Sequence, residues 1–158
     1  MPRKWQPREM RMLAEWLAEQ WPRTEYLTRV RLGRIEPRTD AADLTPEEIR
    51  ALGVHRRWAD AVVLLPDRVL LIEAKIRPQP GVISQLELYA RLLPHTPELT
   101  EHAEKSIEMI LLYAIEDELI NQLAREKGIR CIAYHPDWID SYLDELYPRE
   151  RQGGHTPL

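Results

Sequence analysis

The spacing of apolar positions changes period several times along the chain. In residues 7–21, Met10, Leu13, Ala14, Leu17 and Trp21 recur at three- and four-residue intervals, with Met12 and Trp16 widening the stripe. That period predicts an amphipathic helix, with Pro7 in its first turn and Pro22 ending it. Residues 25–33 switch to period two: Tyr26, Thr28, Val30 and Leu32 alternate with Arg29 and Arg31, predicting a half-exposed strand. After a loop at 36–44, the stretch 45–53 predicts a short helix capped by Thr45 and Glu48 and stopped by Gly53. Two apolar runs, 58–65 and 68–75, flank Pro66 and Asp67 and predict a hairpin. A loop at 77–81 leads to a helix at 82–93, where Ser84 and Glu87 offer a capping box near the start. Residues 95–105 read as a polar connection and 107–115 as a buried strand. A helix at 116–128, acidic first and basic last with Gly128 behind it, precedes a strand at 129–134 and an amphipathic helix at 136–147.

The order is therefore α-β-(α)-β-β-α-β-α-β-α. Both faces of the two hairpin strands are apolar, so helices are expected on both sides of the sheet. The expectation is one α/β domain over residues 1–150, a mixed sheet with an antiparallel hairpin inside it, and a disordered tail at 151–158.

Composition narrows the class. No apolar run approaches the roughly 20 residues of a membrane span, and no apolar stretch follows the basic N-terminus as in a secretory signal. A soluble intracellular protein without membrane partners is expected. The formal net charge of −4 is unevenly spread: residues 1–95 carry 16 basic and 13 acidic side chains, residues 96–158 carry 6 and 13. The N-terminal part could thus offer a basic face to a nucleic acid. The acidic C-terminal part suits a partner subunit or the back of the domain. High charge, 13 prolines and a single Asn, Asn121, fit a thermophilic source. Cys131, the one cysteine, sits in an apolar run and reads as a buried structural thiol; it excludes an intrachain disulfide and a four-cysteine cluster.

The hairpin carries the candidate chemistry. If Pro66-Asp67 is a two-residue turn, Asp60 falls opposite Glu73, and Lys75, two residues on, shares the face of Glu73. Like charges directly opposite on a sheet are destabilising. A shared proton, a salt bridge to Lys75, or a divalent cation such as Mg²⁺ would each relieve the repulsion. Ten residues after Lys75, Gln85 and Tyr89 stand at i and i+4 on one helix face.

An Asp, then Glu-x-Lys, then a helix with Gln-x-x-x-Tyr resembles the PD-(D/E)xK nuclease superfamily, and the Gln-x-x-x-Tyr helix resembles its RecB-like branch. The twelve residues between Asp60 and Glu73 also resemble the spacing in archaeal Holliday-junction resolvases. The resemblance covers roughly residues 7–115 and implies a restriction-endonuclease-like α-β-β-β-α-β core, with 45–53 as an insertion. It implies a Mg²⁺- or Mn²⁺-dependent deoxyribonuclease. Asp60, Glu73 and the carbonyl of Ala74 would hold the metal, and Lys75 would position or activate water. Gln85 and Tyr89 would hold the DNA strand. Many members add an acid from the first helix, for which Glu15 is the choice and Glu19 the rival. Arg56, Arg57 and Arg77 would rim the site and contact phosphate. Two departures stand out: Ala59 replaces the proline of the motif's name, and one cysteine rules out the iron–sulfur members of the branch. DNA is the implied partner, with a homodimer or a larger DNA-processing complex as the open assemblies. The alternative is a catalytically inactive module of the same fold, binding DNA or assembling such a complex. His135-Pro136-Asp137 is more simply a helix start than a second metal site.

Overall fold

The structure is a computed structural model that describes residues 6–33 and 57–147. The predicted helix at 45–53, the tail at 151–158 and Arg56 lie outside the described residues. In chain order the elements are α1 (Gln6–Gln20), β1 (Tyr26–Leu32), β2 (Arg57–Leu64), β3 (Arg68–Lys75), α2 (Gly81–Leu92), β4 (Ser106–Tyr113), α3 (Glu118–Glu126), β5 (Arg130–Ala133) and α4 (Trp138–Leu146). The strands form one mixed sheet in the order β1-β2-β3-β4-β5. The first three are antiparallel neighbours; β4 and β5 run parallel to β3. Among the described residues no helix is long and apolar enough to cross a membrane.

Alternation along β3 explains the layers. Val69 and Leu71 enter a core with Leu86 and Tyr89 of α2 and Ile120 and Ala124 of α3. Leu70 and Ile72 enter the opposite core with Leu13, Trp16 and Leu17 of α1 and Ile139 and Tyr142 of α4. Each fully buried Leu or Ile contributes about 1.5–3 kcal/mol. Helices on both faces are thus what two-sided apolar strands require.

The hairpin has the register expected of a two-residue turn. Leu65 N–H donates to the Arg68 carbonyl at 3.0 Å, and the pairs run from Leu64–Val69 to Ala61–Ile72. Three expectations are corrected. Helix α2 starts at Gly81, before Ser84, and Pro80 at its N-cap makes no side-chain hydrogen bond, so there is no Ser84–Glu87 box. Residues 93–102 are largely 3₁₀ turns rather than a polar connection, with Leu99 and Thr96 buried. Thr96 Oγ1 accepts the Gly33 N–H at 2.9 Å and donates to the Leu92 carbonyl at 3.1 Å, tying the end of β1 to the end of α2. Strand β1 is less buried than its alternation implied: Tyr26 and Thr28 are exposed, and only Val30 and Leu32 reach the core.

One irregularity shapes the end of the sheet. Arg29 falls opposite Asp60, yet the β1–β2 ladder passes from Thr28–Ala61 to Val30–Ala59 without pairing them. Arg29 has φ 53°, a left-handed conformation. Ala59 and Ala61, two residues apart, consequently enter opposite cores. Side-chain direction therefore shifts phase at Asp60. The β1–β2 ribbon then continues through Arg31–Trp58 and Leu32–Arg57, beyond the last β2–β3 pair.

A left-handed L-residue is disfavoured by roughly 1–2 kcal/mol, which glycine avoids, while its freer unfolded chain offsets about 0.4–1 kcal/mol. Arg29→Gly is expected to stabilise the fold by about 0.5–1 kcal/mol. Thermal or urea denaturation reads this directly, and a lower midpoint would contradict the strain.

Candidate active site

Where the hairpin ladder stops, side chains take over its hydrogen bonds. Asp60 N–H donates to Glu73 Oε1 at 3.2 Å, and Ala74 N–H donates to Asp60 Oδ2 at 2.9 Å. Two carboxylates thus accept main-chain donors at the open end of the hairpin. Glu73 is 1% exposed, while Asp60 is half-buried. Burial pushes the Glu73 carboxyl well above its usual range, and the charge of Asp60 pushes the same way. Lys75 and the Asp60 N–H oppose this without cancelling it. Burial beside a second carboxylate thus makes the charged form of Glu73 costly.

Lys75 ends β3 with its ammonium 3.8 Å from Glu9, both side chains largely buried. The first-helix acid at the site is therefore Glu9, not Glu15 or Glu19. Glu9 lies three and four residues before Met12 and Leu13, on the stripe that α1 buries. Glu15 is six residues on, about 240° around the helix, facing α4. There it accepts from Trp138 Nε1 at 2.7 Å and pairs with Arg11 at 3.1 Å. Glu19 accepts from the Tyr134 hydroxyl at 2.7 Å. An acid on the apolar stripe was the sequence signal for Glu9.

Helix α2 brings Gln85 and Tyr89 over the same end. Gln85 Nε2 donates to the Tyr89 hydroxyl at 2.9 Å, as i and i+4 neighbours can. Burial raises the Tyr89 pKa; the Gln85 hydrogen bond opposes it, Glu73 and Asp60 add to it, and Arg57 lowers it. The Tyr89 hydroxyl thus feels both carboxylates and Arg57. Beside it opens a cleft of about 500 Å³ lined by Glu9, Lys75, Arg77, Gln79 and Gln85. Asp60, Glu73, Lys75, Gln85, Tyr89, Arg57 and Arg77 are thereby gathered at one end of the sheet. What Ala74 is seen to contribute is its N–H, on Asp60.

The donor set suits a hard cation. Its oxygens are carboxylates, its net charge is negative, and one acid is buried beyond what water can solvate. Among the described residues no group of three or more His, Cys, Asp or Glu is placed to hold a metal ion, and the carboxylates that meet are Asp60 and Glu73. Mg²⁺ is commonly held by one or two carboxylates plus waters and phosphate. Elsewhere the alternatives fall away. His135 bridges the Ala114 carbonyl at 2.9 Å and Asp140 at 2.8 Å at the start of α4. Cys131 is half-buried, and burial pushes its thiol up, as in an unreactive structural cysteine.

Comparisons with protein-family models, with curated proteins and with solved structures give no match to this chain.

The raised Glu73 pKa has a consequence for stability. Between its ordinary value of 4.5 and its folded value, the native state binds more protons than the unfolded chain. Stability from this group is complete below the ordinary value and is lost as pH rises through the folded one. Glu73→Gln, which mimics the protonated form, is expected to match wild type near pH 4 and to exceed it by about 1–3 kcal/mol at pH 8 in chelator. Urea unfolding at the two pH values measures this; a variant less stable than wild type at pH 8 would contradict a buried, charge-averse carboxyl.

Proposed function

We propose that the chain is a metal-dependent nuclease that hydrolyses DNA phosphodiester bonds, built on a PD-(D/E)xK core of RecB-like type. The observation that carries the reading is the meeting of Asp60 and Glu73 at the end of the hairpin ladder, beneath the Gln85–Tyr89 pair. The run α1-β1-β2-β3-α2-β4 supports a restriction-endonuclease-like core.

Asp60 and Glu73 are the residues that would hold Mg²⁺ or Mn²⁺, with Glu9 the nearby third acid. Such an ion supplies Lewis acidity at a phosphoryl oxygen and lowers the pKa of water. The remaining chemistry falls to this chain's side chains. Lys75, held beside Glu9, donates hydrogen bonds to the attacking water or to the charge that develops on phosphate. Gln85, steadied by Tyr89, presents its amide to the strand. Arg57 and Arg77 hold flanking phosphates. Hydrolysis forms a bond from the water oxygen to phosphorus and breaks the bond to the leaving oxygen, which takes the electron pair and a proton.

One observation favours a second reading. Among the described residues no three acids form a group, and the third acid, Glu9, is engaged with Lys75 rather than with Asp60 and Glu73. A catalytically silent module of the same fold, binding DNA within a larger complex, would tolerate that arrangement.

The test is incubation with end-labelled single-stranded, duplex and branched DNA in Mg²⁺, Mn²⁺ or EDTA. Wild type is expected to cut at least one substrate in a divalent cation and none in EDTA. Glu73→Ala and Lys75→Ala are expected to lose about 10²-fold or more in rate. Identical behaviour of wild type and Glu73→Ala on every substrate would overturn the nuclease reading, and metal-independent binding without cleavage would favour the silent module.

A further inference from the structure

The β1–β2 ribbon borders the site, still paired where β2 and β3 have parted. Its last pairs, Val30–Ala59, Arg31–Trp58 and Leu32–Arg57, lie beyond the point where β2 leaves β3. Val30, Leu32 and Ala59 turn inward to the core beneath α2. Arg31 and Trp58, one residue out of step with them, turn the other way. As direct partners their side chains rise from neighbouring positions, with Cβ atoms about 5 Å apart.

Trp58 is 45% exposed, although the other described tryptophans are buried or half-buried. Exposing an indole forfeits burial that a core-facing residue would gain. Its position is two residues from Asp60, about 7 Å along the strand. The charge around it is one-sided. Strands β1 and β2 carry Arg29, Arg31 and Arg57 against a single acid, Asp60, in a chain whose net charge is −4. Among the described residues neither Arg29 nor Arg31 has an ion-pair partner.

We infer that this end of the ribbon is a strand-binding lip for single-stranded DNA, with Trp58 stacking an unpaired base and Arg31 and Arg29 holding the adjoining phosphates. An exposed aromatic face within a basic strip is the physical arrangement that single strands recognise, because every base offers a π-face and every linkage a negative charge. A duplex keeps its bases stacked and paired and presents no face to the indole. Arg29 thereby gains a use for its strained backbone: it stands at the bend between the lip and Asp60. This inference rests on the nuclease reading for its choice of DNA, and it deepens that reading by naming the substrate's strandedness.

The experiment measures binding apart from cutting. Anisotropy of a labelled oligonucleotide of about 12 nucleotides, in EDTA, is compared with the matched duplex and with RNA of the same sequence. Trp58→Ala is expected to bind single-stranded DNA about tenfold more weakly, with little change on duplex. Trp58→Phe, which keeps a ring, is expected to recover most of that loss. Arg31→Ala is expected to weaken binding and flatten its salt dependence. Unchanged melting of each variant confines the effect to the surface. Equal single-strand affinity for wild type and Trp58→Ala overturns the lip, as does tighter binding of duplex than of single strand. Tighter binding of RNA overturns the assignment to DNA. Cleavage separates the two claims. Glu73-dependent cutting that is indifferent to Trp58 removes the lip alone. Trp58-dependent binding without any cutting removes the nuclease reading alone.

Discussion

Two carboxylates meet where a β-ladder ends, and one of them is buried. Asp60 and Glu73 each accept a main-chain N–H that no carbonyl of the hairpin receives. That exchange fixes both side chains against the backbone rather than leaving them to rotate in solvent. It also sets up an unfavourable charge balance. Burial and mutual repulsion raise the Glu73 pKa, and Lys75 does not restore it. The hairpin register, the inward acid of α1 and the amide–phenol pair of α2 all take their meaning from this unresolved charge.

The rest of the molecule is arranged to hold that end still. Strand β3 is buried along nearly its whole length between two apolar cores, and it pairs with β4 from Arg68–Ser106 to Lys75–Tyr113. The burial of many Leu, Ile and Val side chains, about 1.5–3 kcal/mol each, outweighs one charge-averse carboxyl. The candidate site sits at the strand ends, where α1 begins, α2 passes over and β2 stays paired with β1 after its pairing with β3 has stopped. The left-handed Arg29 lets the ribbon change face there, so that Ala59 and Ala61 serve opposite cores. A regular ladder would have carried Asp60 in strict alternation with them.

Much of this was legible in the sequence, and the failures have physical causes. Period-two apolar runs on either side of Pro66-Asp67 define a turn length, and turn length alone sets Asp60 against Glu73. Gln85 and Tyr89 were readable because four residues make one helical turn. Distance along α1 points to Glu15, but direction around the helix turns Glu15 to Trp138 and brings Glu9, on the stripe with Met12, Leu13 and Trp16, to Lys75. The Ser84 cap failed because Pro80-Gly81 starts the helix one turn earlier. Nothing marks Arg29 as left-handed: arginine has no preference for that conformation, and the bend comes from the tertiary contacts of both strands. Trp58 was readable as a strand residue, but its exposure follows from the phase shift at Asp60, which alternation could not show.

The central claim of the proposed function is that a cation belongs between Asp60 and Glu73, relieving the repulsion and burial that raise the Glu73 pKa. Isothermal titration of the intact chain with Mn²⁺, in two buffers of different ionisation enthalpy, tests it most directly. Wild type should take up Mn²⁺ and release a proton as it binds, with affinity rising as pH rises, and Glu73→Gln should lose both. Binding that is absent, or that proceeds unchanged in Glu73→Gln with no proton released, would show that the pair is a protonated structural contact and not a metal site.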